Sequence, residues 1–274
     1  MIRAIGWNLG QRGDIIMNTV VSRGFKEKYP ISHLTLGIYK EYSDMKDLFI
    51  DHPFIDDVHI YDSYNDWPNQ NDLDFLNRSN FNIIYNGMPQ HPKSDWYNHC
   101  VSQTEEACFM NGIKPPNNLQ CILTKWFNDN EEYKEYVAIA PFSSCIKKDL
   151  SISRANEIVC LIKDLGYNVL QLSSTQQPKL KNVIINNTNY FNSVVNMLSC
   201  KALVTINTGM SWVSSAYSKK TLGLYSIENW GYHNLISSSI YEPINPNAIY
   251  LRGQHPDTID LELIKTNLKK IIER

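Results

Sequence analysis

The chain has 274 residues, of which 43% are hydrophobic and 20% are charged, with a formal net charge of −2 at pH 7. This composition is typical of a globular protein with a sizeable core, and it argues against a disordered chain or a strongly basic nucleic-acid-binding protein. No apolar run reaches the roughly 18 residues of a membrane span. The apolar run within the first ten residues, MIRAIGWNLG, is too short for a signal peptide. Six well-separated cysteines without a C-x-x-C pair favour buried, reduced thiols, so we expect a cytoplasmic protein.

Strand and helix patterns alternate through the first half of the sequence. Strands are predicted at 2–7, 33–38, 58–61 and 81–85. Apolar residues at helical spacing predict one helix that ends near residue 30 and another over about 95–111. Such alternation indicates a parallel sheet covered by helices.

The same alternation restarts after the polar stretch at 128–136. Strands are predicted at 136–140, 167–172, 202–206 and 221–225. Helices are predicted at about 155–165, at 191–200, after the turn 207–211 up to about 217, and at 261–271. We therefore predict an α/β fold of two Rossmann-like parallel-sheet domains that face each other across a cleft. The N-terminal domain would span 1–130 and the C-terminal domain 131–256, with a C-terminal helix in 257–274 that packs back toward the N-terminal domain.

Loops at the carboxyl ends of the strands are where ligands of open parallel sheets bind. The first such loop, 8–13, contains Gly10 and Gly13 and is followed by Asp14 at a helix start. Glycines allow positive φ and the close approach of a ligand, and a helix start favours a carboxylate. Asp14 can therefore be a helix-capping residue or a reactive carboxylate. The loop lacks the G-x-G-x-x-G pattern, which argues against a nicotinamide-dependent oxidoreductase.

Two loops of the second half carry groups that bind anions. After strand 136–140, APFSSCIKKDLS offers the hydroxyls of Ser143 and Ser144 and the ammonium groups of Lys147 and Lys148. The second loop joins a strand to a helix, where amides and hydroxyls can bind an anion; its candidate residues are Asn207, Thr208, Gly209, Met210 and Ser211. Both loops suit a diphosphate, and the alternatives are a solvated surface loop and a capped turn without a ligand.

Six motifs occur in the order that they have in one glycosyltransferase family. They are RGDIIMNTVVSRGFKEKYP (12–30), HPFIDDVHIYD (52–62), FNIIYNG (81–87), NHCVSQTEEACFMNGI (98–113), PFSSCIKKDLS (141–151) and NTGMSWV (207–213). Together they resemble the ADP-heptose-type heptosyltransferases, which are two-domain GT-B glycosyltransferases. The chain departs from the family pattern by an inserted Gln11-Arg12, by Leu150-Ser151 for Trp-Pro, by Asn207 for Asp and by Trp212 for His.

The resemblance implies metal-independent, inverting transfer of a sugar from a nucleotide-diphosphate sugar to a hydroxyl of a glycan or a related acceptor, without a cofactor. Asp14 would be the general base on the acceptor hydroxyl. Lys148, with Ser143, Ser144 and the turn 207–211, would stabilise the leaving diphosphate in place of a divalent cation. A helix start favours the ionised carboxylate, which makes Asp14 a weak base. This suits an oxocarbenium-like transition state, in which deprotonation comes late.

Further polar and aromatic residues are weaker candidates. Asp72 and Asp74 form a D-x-D pattern, which carries a metal in the other large glycosyltransferase architecture, but they lie in an Asn/Asp-rich stretch and we interpret them as solvated. The candidates near the expected acceptor and donor are His91, Trp96, Tyr97, His99, Glu228, Asn229 and Trp230.

Three alternative functions stay open from the sequence. A glycosyltransferase that acts on modified bases in DNA is one, although the near-neutral charge argues against a nucleic-acid partner. A catalytically inactive nucleotide-sugar-binding protein is the second, because Asn207 and Trp212 depart from the family pattern. The third is a sugar-nucleotide epimerase of related architecture, which would form product without an acceptor.

Overall fold

The computed structural model of the chain describes residues 2–7, 11–62, 70–79, 81–86, 103–124, 130–144, 146–173, 176–227 and 242–274. The chain divides into two compact units, Met1–Thr124 and Lys125–Arg274. Each unit is an α/β domain with a parallel sheet of its own, as the alternation of strand and helix patterns predicts.

The first unit is built on a sheet in which every described strand pair is parallel. Its strands are β1 (Arg3–Trp7), β2 (His33–Tyr39), β3 (Asp57–Tyr61) and β4 (Ile83–Asn86), and its helices are α1 (Arg12–Lys28), α2 (Gln70–Ser79) and α3 (Gln103–Met110). A 3₁₀ segment, Lys40–Phe49, follows β2. The strand order is β3-β2-β1-β4, so β1, the strand that precedes α1 in the chain, lies in the interior of the sheet.

Helix α1 is buried without interruption from Ile15 to Phe25. A helix that packed only on a sheet would leave its outer face in water, so a second layer must cover it. Part of that layer is an extended segment, 113–124, which we call the strap. A methyl group on Gly24 would lie 2.8 Å from Ile113 Cγ2. The close approach of the strap to α1 therefore requires a glycine at position 24.

Buried polar groups tie the strap to the rest of the unit. The guanidinium of Arg23 donates to the carbonyl of Asn118 and, at 3.3 Å, to the carbonyl of Gln120. The Thr19 hydroxyl accepts from the N–H of Ile122 at 3.1 Å, and the N–H of Thr124 donates to Leu48 O at 2.9 Å. Each bond satisfies a backbone group that has no strand partner.

His52, which is 6% exposed, links the strap to the segment before β3. Its Nδ1 accepts from the N–H of Phe54 at 3.2 Å, and its Nε2 lies 3.1 Å from the carbonyl oxygen of Ile122. This pairing requires a neutral ring with the proton on Nε2, so that Nε2–H donates to Ile122. The pKa of His52 is lowered to about 4, chiefly by burial; the hydrogen bond to Ile122 opposes this shift and the charge of Arg23 adds to it.

The second unit contains the larger described sheet, in the order β10-β9-β8-β5-β6-β7. Its strands are β5 (Tyr136–Ala140), β6 (Asn168–Leu172), β7 (Ile184–Asn186), β8 (Ala202–Thr205), β9 (Thr221–Ser226) and β10 (Ala248–Gly253), and its helices are α4 (Ile152–Asp164), α5 (Tyr190–Ser199), α6 (Gly209–Ala216) and α7 (Leu261–Glu273). All its described strand pairs are parallel.

Helices α4 and α7 pack together on this sheet in one apolar core. The buried residues of α7 are Ile264, Leu268, Ile271 and Ile272, which lie at helical spacing on one face. This face belongs to the core of the second unit. Strands β5, β8 and β9 are buried along almost their whole length, so this sheet needs a covering layer on each face.

Candidate functional site

The loops that follow β5 and β8 begin side by side in the second unit. Ala140, the last residue of β5, pairs with Thr205, the last residue of β8. Beyond that pair the N–H of Ile206 donates to Ala140 O at 3.4 Å. The two loops that we selected from the sequence therefore leave neighbouring strands at the same edge of the sheet.

The loop after β5 is closed on itself by Asp149. The backbone N–H and the hydroxyl of Ser143 donate to Asp149 Oδ1 at 2.6 and 2.9 Å. The N–H of Asp149 donates to Ile146 O at 3.2 Å, and the N–H of Leu150 donates to Pro141 O at 3.1 Å. Between these bonds the chain forms a single 3₁₀ turn, Ile146–Lys148.

The cations and hydroxyls of this loop differ in exposure. Ser144 and Lys147 are exposed, whereas Ser143 and Lys148 are half-buried. Burial raises the pKa of Asp149, and the bonds from Ser143 and the charges of Lys148 and His255 oppose that shift. Lys148 and His255 are therefore both close enough to act electrostatically on the carboxylate that closes the loop.

The turn after β8 opens helix α6. Thr208 is its N-cap, with extended backbone, and its side chain makes no cap hydrogen bond. Its hydroxyl lies 3.2 Å from the hydroxyl of Thr205. Asn207 and Gly209 are half-buried beside it. The first backbone N–H groups of a helix have no acceptor within the helix, so this end of α6 can receive an anion.

Two of the predicted residues in this turn serve its packing. Ser211 is fully buried, and its hydroxyl and its N–H donate to Thr208 O at 2.7 and 3.1 Å. Met210 and Trp212 are buried beside it. The groups of this turn that lie at the sheet edge are accordingly those of Asn207, Thr208 and Gly209.

A third segment at the same edge was not predicted from the sequence. Ser151, the N-cap of α4, donates its backbone N–H to Asp257 Oδ1 at 2.9 Å. Asp257 follows β10 in a turn that starts at His255, whose Nδ1 accepts from the N–H of Asp257 at 3.2 Å. The sequence HPDT at 255–258 carried a signal that we did not use, since a polar residue before proline is typical of a helical start.

In the first unit, Asp14 lies in the first turn of α1, where it belongs to a capping box. Gln11 is the N-cap, and its backbone N–H donates to Asp14 Oδ2 at 2.8 Å. Gly13 and Asp14 are half-buried. The N-cap is therefore Gln11, and Asp14 lies three positions later, at N3. The inserted Gln11-Arg12 lies at the start of the helix, where Gln11 is the N-cap and Arg12 the first helical residue.

Arg12 connects the start of α1 to the segment after β2. Its Nη2 donates to both carboxylate oxygens of Asp44 at 2.8 and 2.9 Å, and its guanidinium lies 5.0 Å from the ring centre of Tyr42. Burial raises the pKa of Tyr42, followed by the charge of Glu41; Arg12 opposes the shift and Asp14 adds to it. Asp14 therefore shares its surroundings with an aromatic hydroxyl and an ion pair.

The remaining candidates are outside these groups. Asp72 and Asp74 both lie in α2, and Asp74 is exposed. Residues 8–10, with Gly10, and the weaker candidates at 91, 96, 97, 99 and 228–230 lie outside the described residues. In the part of the chain that the structure describes, no three His, Cys, Asp or Glu side chains gather as metal ligands would. Nor is any helix of that part long and apolar enough to cross a membrane.

No known protein family and no curated protein matches the chain by sequence. Solved structures do match it over its length. The glycosyl transferase family 9 protein of Veillonella parvula is 14% identical, with a TM-score of 0.73 over 99% of this chain and 97% of that one. The ADP-heptose lipopolysaccharide heptosyltransferase II of Escherichia coli is 12% identical, with a TM-score of 0.76 over 99% of both chains. The heptosyltransferase WaaC of Escherichia coli, solved with ADP, is 12% identical, with a TM-score of 0.71 over 98% of this chain and 100% of that one.

Identities this low establish a common architecture, whereas activity depends on particular residues at the site. The order of strands and helices and the two parallel sheets agree with the predicted fold class. The resemblance that the motifs indicated is thereby confirmed at the level of the fold: the chain has the GT-B fold of the heptosyltransferase-like glycosyltransferases.

Proposed function

We propose that the protein is a metal-independent, inverting glycosyltransferase that moves a sugar from a nucleotide-diphosphate sugar to a hydroxyl of a glycan or a related acceptor. One observation carries the proposal. The loops after β5 and β8 leave adjacent strand ends, and both present anion-binding groups in a fold that WaaC, solved with ADP and with an ADP-heptose analogue, shares.

The second unit would bind the diphosphate of the donor. Lys148 and Lys147 supply positive charge from the loop after β5, and the first amides of α6 supply hydrogen bonds from the neighbouring loop. A lysine ammonium about 4 Å from a phosphate oxygen contributes roughly 4 kcal/mol at an effective dielectric constant of about 20. Negative charge accumulates on the diphosphate as the glycosidic bond breaks, so these groups stabilise the transition state more than the bound donor.

Asp14 would act on the acceptor. Its carboxylate takes the proton of the acceptor hydroxyl while the acceptor oxygen attacks the anomeric carbon of the sugar. The bond from that carbon to the diphosphate breaks, and its electron pair leaves with the phosphate oxygen. One displacement of this kind inverts the configuration at the anomeric carbon.

Nucleotide binding without a metal is the first test. Calorimetric titration with ADP, UDP and GDP in EDTA should show selective binding of one nucleotide. Lys148→Ala should weaken that binding at least about tenfold, since it removes a charge-assisted hydrogen bond. Lys265→Ala is the matched control, because Lys265 is an exposed lysine on α7. Lack of binding to any nucleoside diphosphate, or equal binding by the Lys148 variant, would refute the proposal for this loop.

The second test separates catalysis from binding. Asp14→Asn should keep nucleotide affinity and lose transfer of the sugar by about a hundredfold or more, the usual size of a general-base contribution. If the native chain binds the donor without transfer or hydrolysis, the result would instead favour a catalytically inactive binding protein. The departures from the family pattern at Asn207 and Trp212 motivate that alternative. A variant with the amide at position 14 and full activity would remove Asp14 from the mechanism.

A further inference from the structure

Asp149 uses one carboxylate oxygen to hold both polar groups of Ser143. The N–H of Ser143 lies 2.6 Å from Asp149 Oδ1, and the Ser143 hydroxyl lies 2.9 Å from the same atom. A serine hydroxyl has a single proton to donate. While this bond holds, Ser143 cannot donate its hydroxyl proton to a phosphate, so its contribution to an anion site must be indirect.

The bonds of Asp149 fix the shape of the loop that carries the two lysines. Its own N–H donates to Ile146 O at 3.2 Å, which closes the 3₁₀ turn Ile146–Lys148. Phe142 and Leu150, at either end of the loop, are buried in the core of the second unit. The loop is therefore anchored at both ends and tied across its middle, and Asp149 supplies the tie.

The charge of Asp149 is a disadvantage for an anion site. A carboxylate beside Lys148 repels a diphosphate and neutralises part of the attraction of the lysine. The two bonds to Ser143 and the closed turn can offset this repulsion. They hold Lys148 in one position before the ligand binds, which lowers the entropy lost on binding.

We infer that Asp149 is a positioning residue of the donor site: its carboxylate oxygen orders the loop 143–149 through Ser143 and so presents Lys148 to a nucleoside diphosphate. The inference rests on the proposed function. Loop ordering depends on the hydrogen bonds to Oδ1, whereas repulsion of the diphosphate depends on the negative charge. A substitution can therefore separate the two effects.

Asp149→Asn keeps an oxygen that accepts from both Ser143 groups and removes the charge, whereas Asp149→Ala removes both. Affinity for ADP, or for the nucleoside diphosphate that binds most tightly, should fall at least about tenfold in the alanine variant. The asparagine variant should bind within about threefold of the native chain or more tightly. Asp164→Ala, at the exposed end of α4, is the matched control and should change nothing.

Hydrogen exchange measures the order of the loop without any ligand. In the full chain without nucleotide, amides of 143–150 should exchange faster in Asp149→Ala than in the native chain, and Asp149→Asn should restore their protection. Rescue by asparagine in both measurements supports the positioning role. Native affinity in the alanine variant, equal loss in both variants, or unchanged exchange would overturn it. If no nucleoside diphosphate binds the native chain, the proposed function fails, and the exchange measurement still decides whether Asp149 orders the loop.

Discussion

In the second unit, helix α7 is held by apolar side chains on one face, whereas in the first unit the strap is tied down by buried polar groups. Burial of Leu268 and its neighbours on α7 gains free energy in proportion to the apolar area removed from water. The hydrogen bonds of Arg23 and His52 each add little net stability. Removing either side chain would leave buried backbone carbonyls unpaired, and that costs more than the bond itself contributes. The two units therefore should respond differently to truncation and to pH.

The surroundings of the candidate residues differ between the two units in the same way. The donor loops leave a sheet with an apolar core on which α4 and α7 pack. Asp14 stands at the start of α1, whose outer side is covered by the strap, and the strap depends on charged and titratable groups. Changes that weaken the strap should consequently affect Asp14 chemistry before they affect nucleotide binding.

Truncation of the α7 core should have the largest effect. Leu268→Ala should lower the free energy of unfolding by about 3 to 4 kcal/mol, since it removes a fully buried side chain and leaves a cavity. Chemical denaturation followed by circular dichroism measures the change. Leu263→Ala, on the same helix but 47% exposed, should cost less than about 1 kcal/mol. Equal costs for the two variants would show that α7 is not held by this apolar face.

Loss of the buried cation of the strap should come next. Arg23→Met should destabilise the first unit by about 2 to 3 kcal/mol, because the carbonyls of Asn118 and Gln120 lose their donor. Part of the cost is offset, since burial disfavours the charge of Arg23 and lowers its pKa. Faster hydrogen exchange within 113–124 would report the loosened strap.

Lys28 provides the control on the same helix. Its ammonium donates to the carbonyl of Gly112 at 3.1 Å, but at an exposed position. Lys28→Met should therefore cost less than about 0.5 kcal/mol. If Lys28→Met loosened 113–124 as much as Arg23→Met does, burial would not explain the importance of Arg23.

The sequence predicted the parts of the fold that rest on periodic apolar patterns. β5 occupies its predicted residues, and α7 and α1 follow their 3.6-residue spacing. It did not predict α2, β7 or β10. β7 is three residues long, and β10 has no buried residue, so neither carries the apolar signal on which the predictions depend. An amphipathic pattern such as that of α7 shows which face of a helix is buried and not what covers it.

The candidate site was predictable to the level of loops. Parallel strands align their carboxyl ends, and this brings 141–150 and 206–211 to one edge. The sequence could not show which side chains form hydrogen bonds within their own loop. Ser211 and Ser143 have the same chemistry in the sequence as Ser144, but their hydroxyls donate to Thr208 O and to Asp149. Such pairings depend on backbone geometry at single-residue precision, which no composition or spacing encodes.

Titration of His52 should produce the smallest of these effects and one confined to the first unit. Its pKa is about 4 in the folded chain and about 6.5 in an unfolded one. Below pH 6.5 the unfolded state therefore binds a proton that the folded state excludes. The first unit should lose about 1 to 2 kcal/mol of stability between pH 7 and pH 5. From about pH 8 upward the ring is neutral in both states, and His52 adds no pH dependence there.

His52→Gln isolates this contribution. A glutamine amide can still donate to the carbonyl of Ile122, but it does not titrate, so the loss of protection of 113–124 between pH 7 and pH 5 should flatten. Asp56 does not confuse the measurement: burial raises its pKa, but the bonds from Lys26 and Leu34 outweigh that effect, and the lowered pKa keeps it ionised over this range. The buried residues of the core around α7 are all apolar, so exchange from 264–272 should not follow the same curve. If the pH dependence of the strap survived in His52→Gln, or appeared equally in α7, the contrast between a polar-tied first unit and an apolar second unit would not hold.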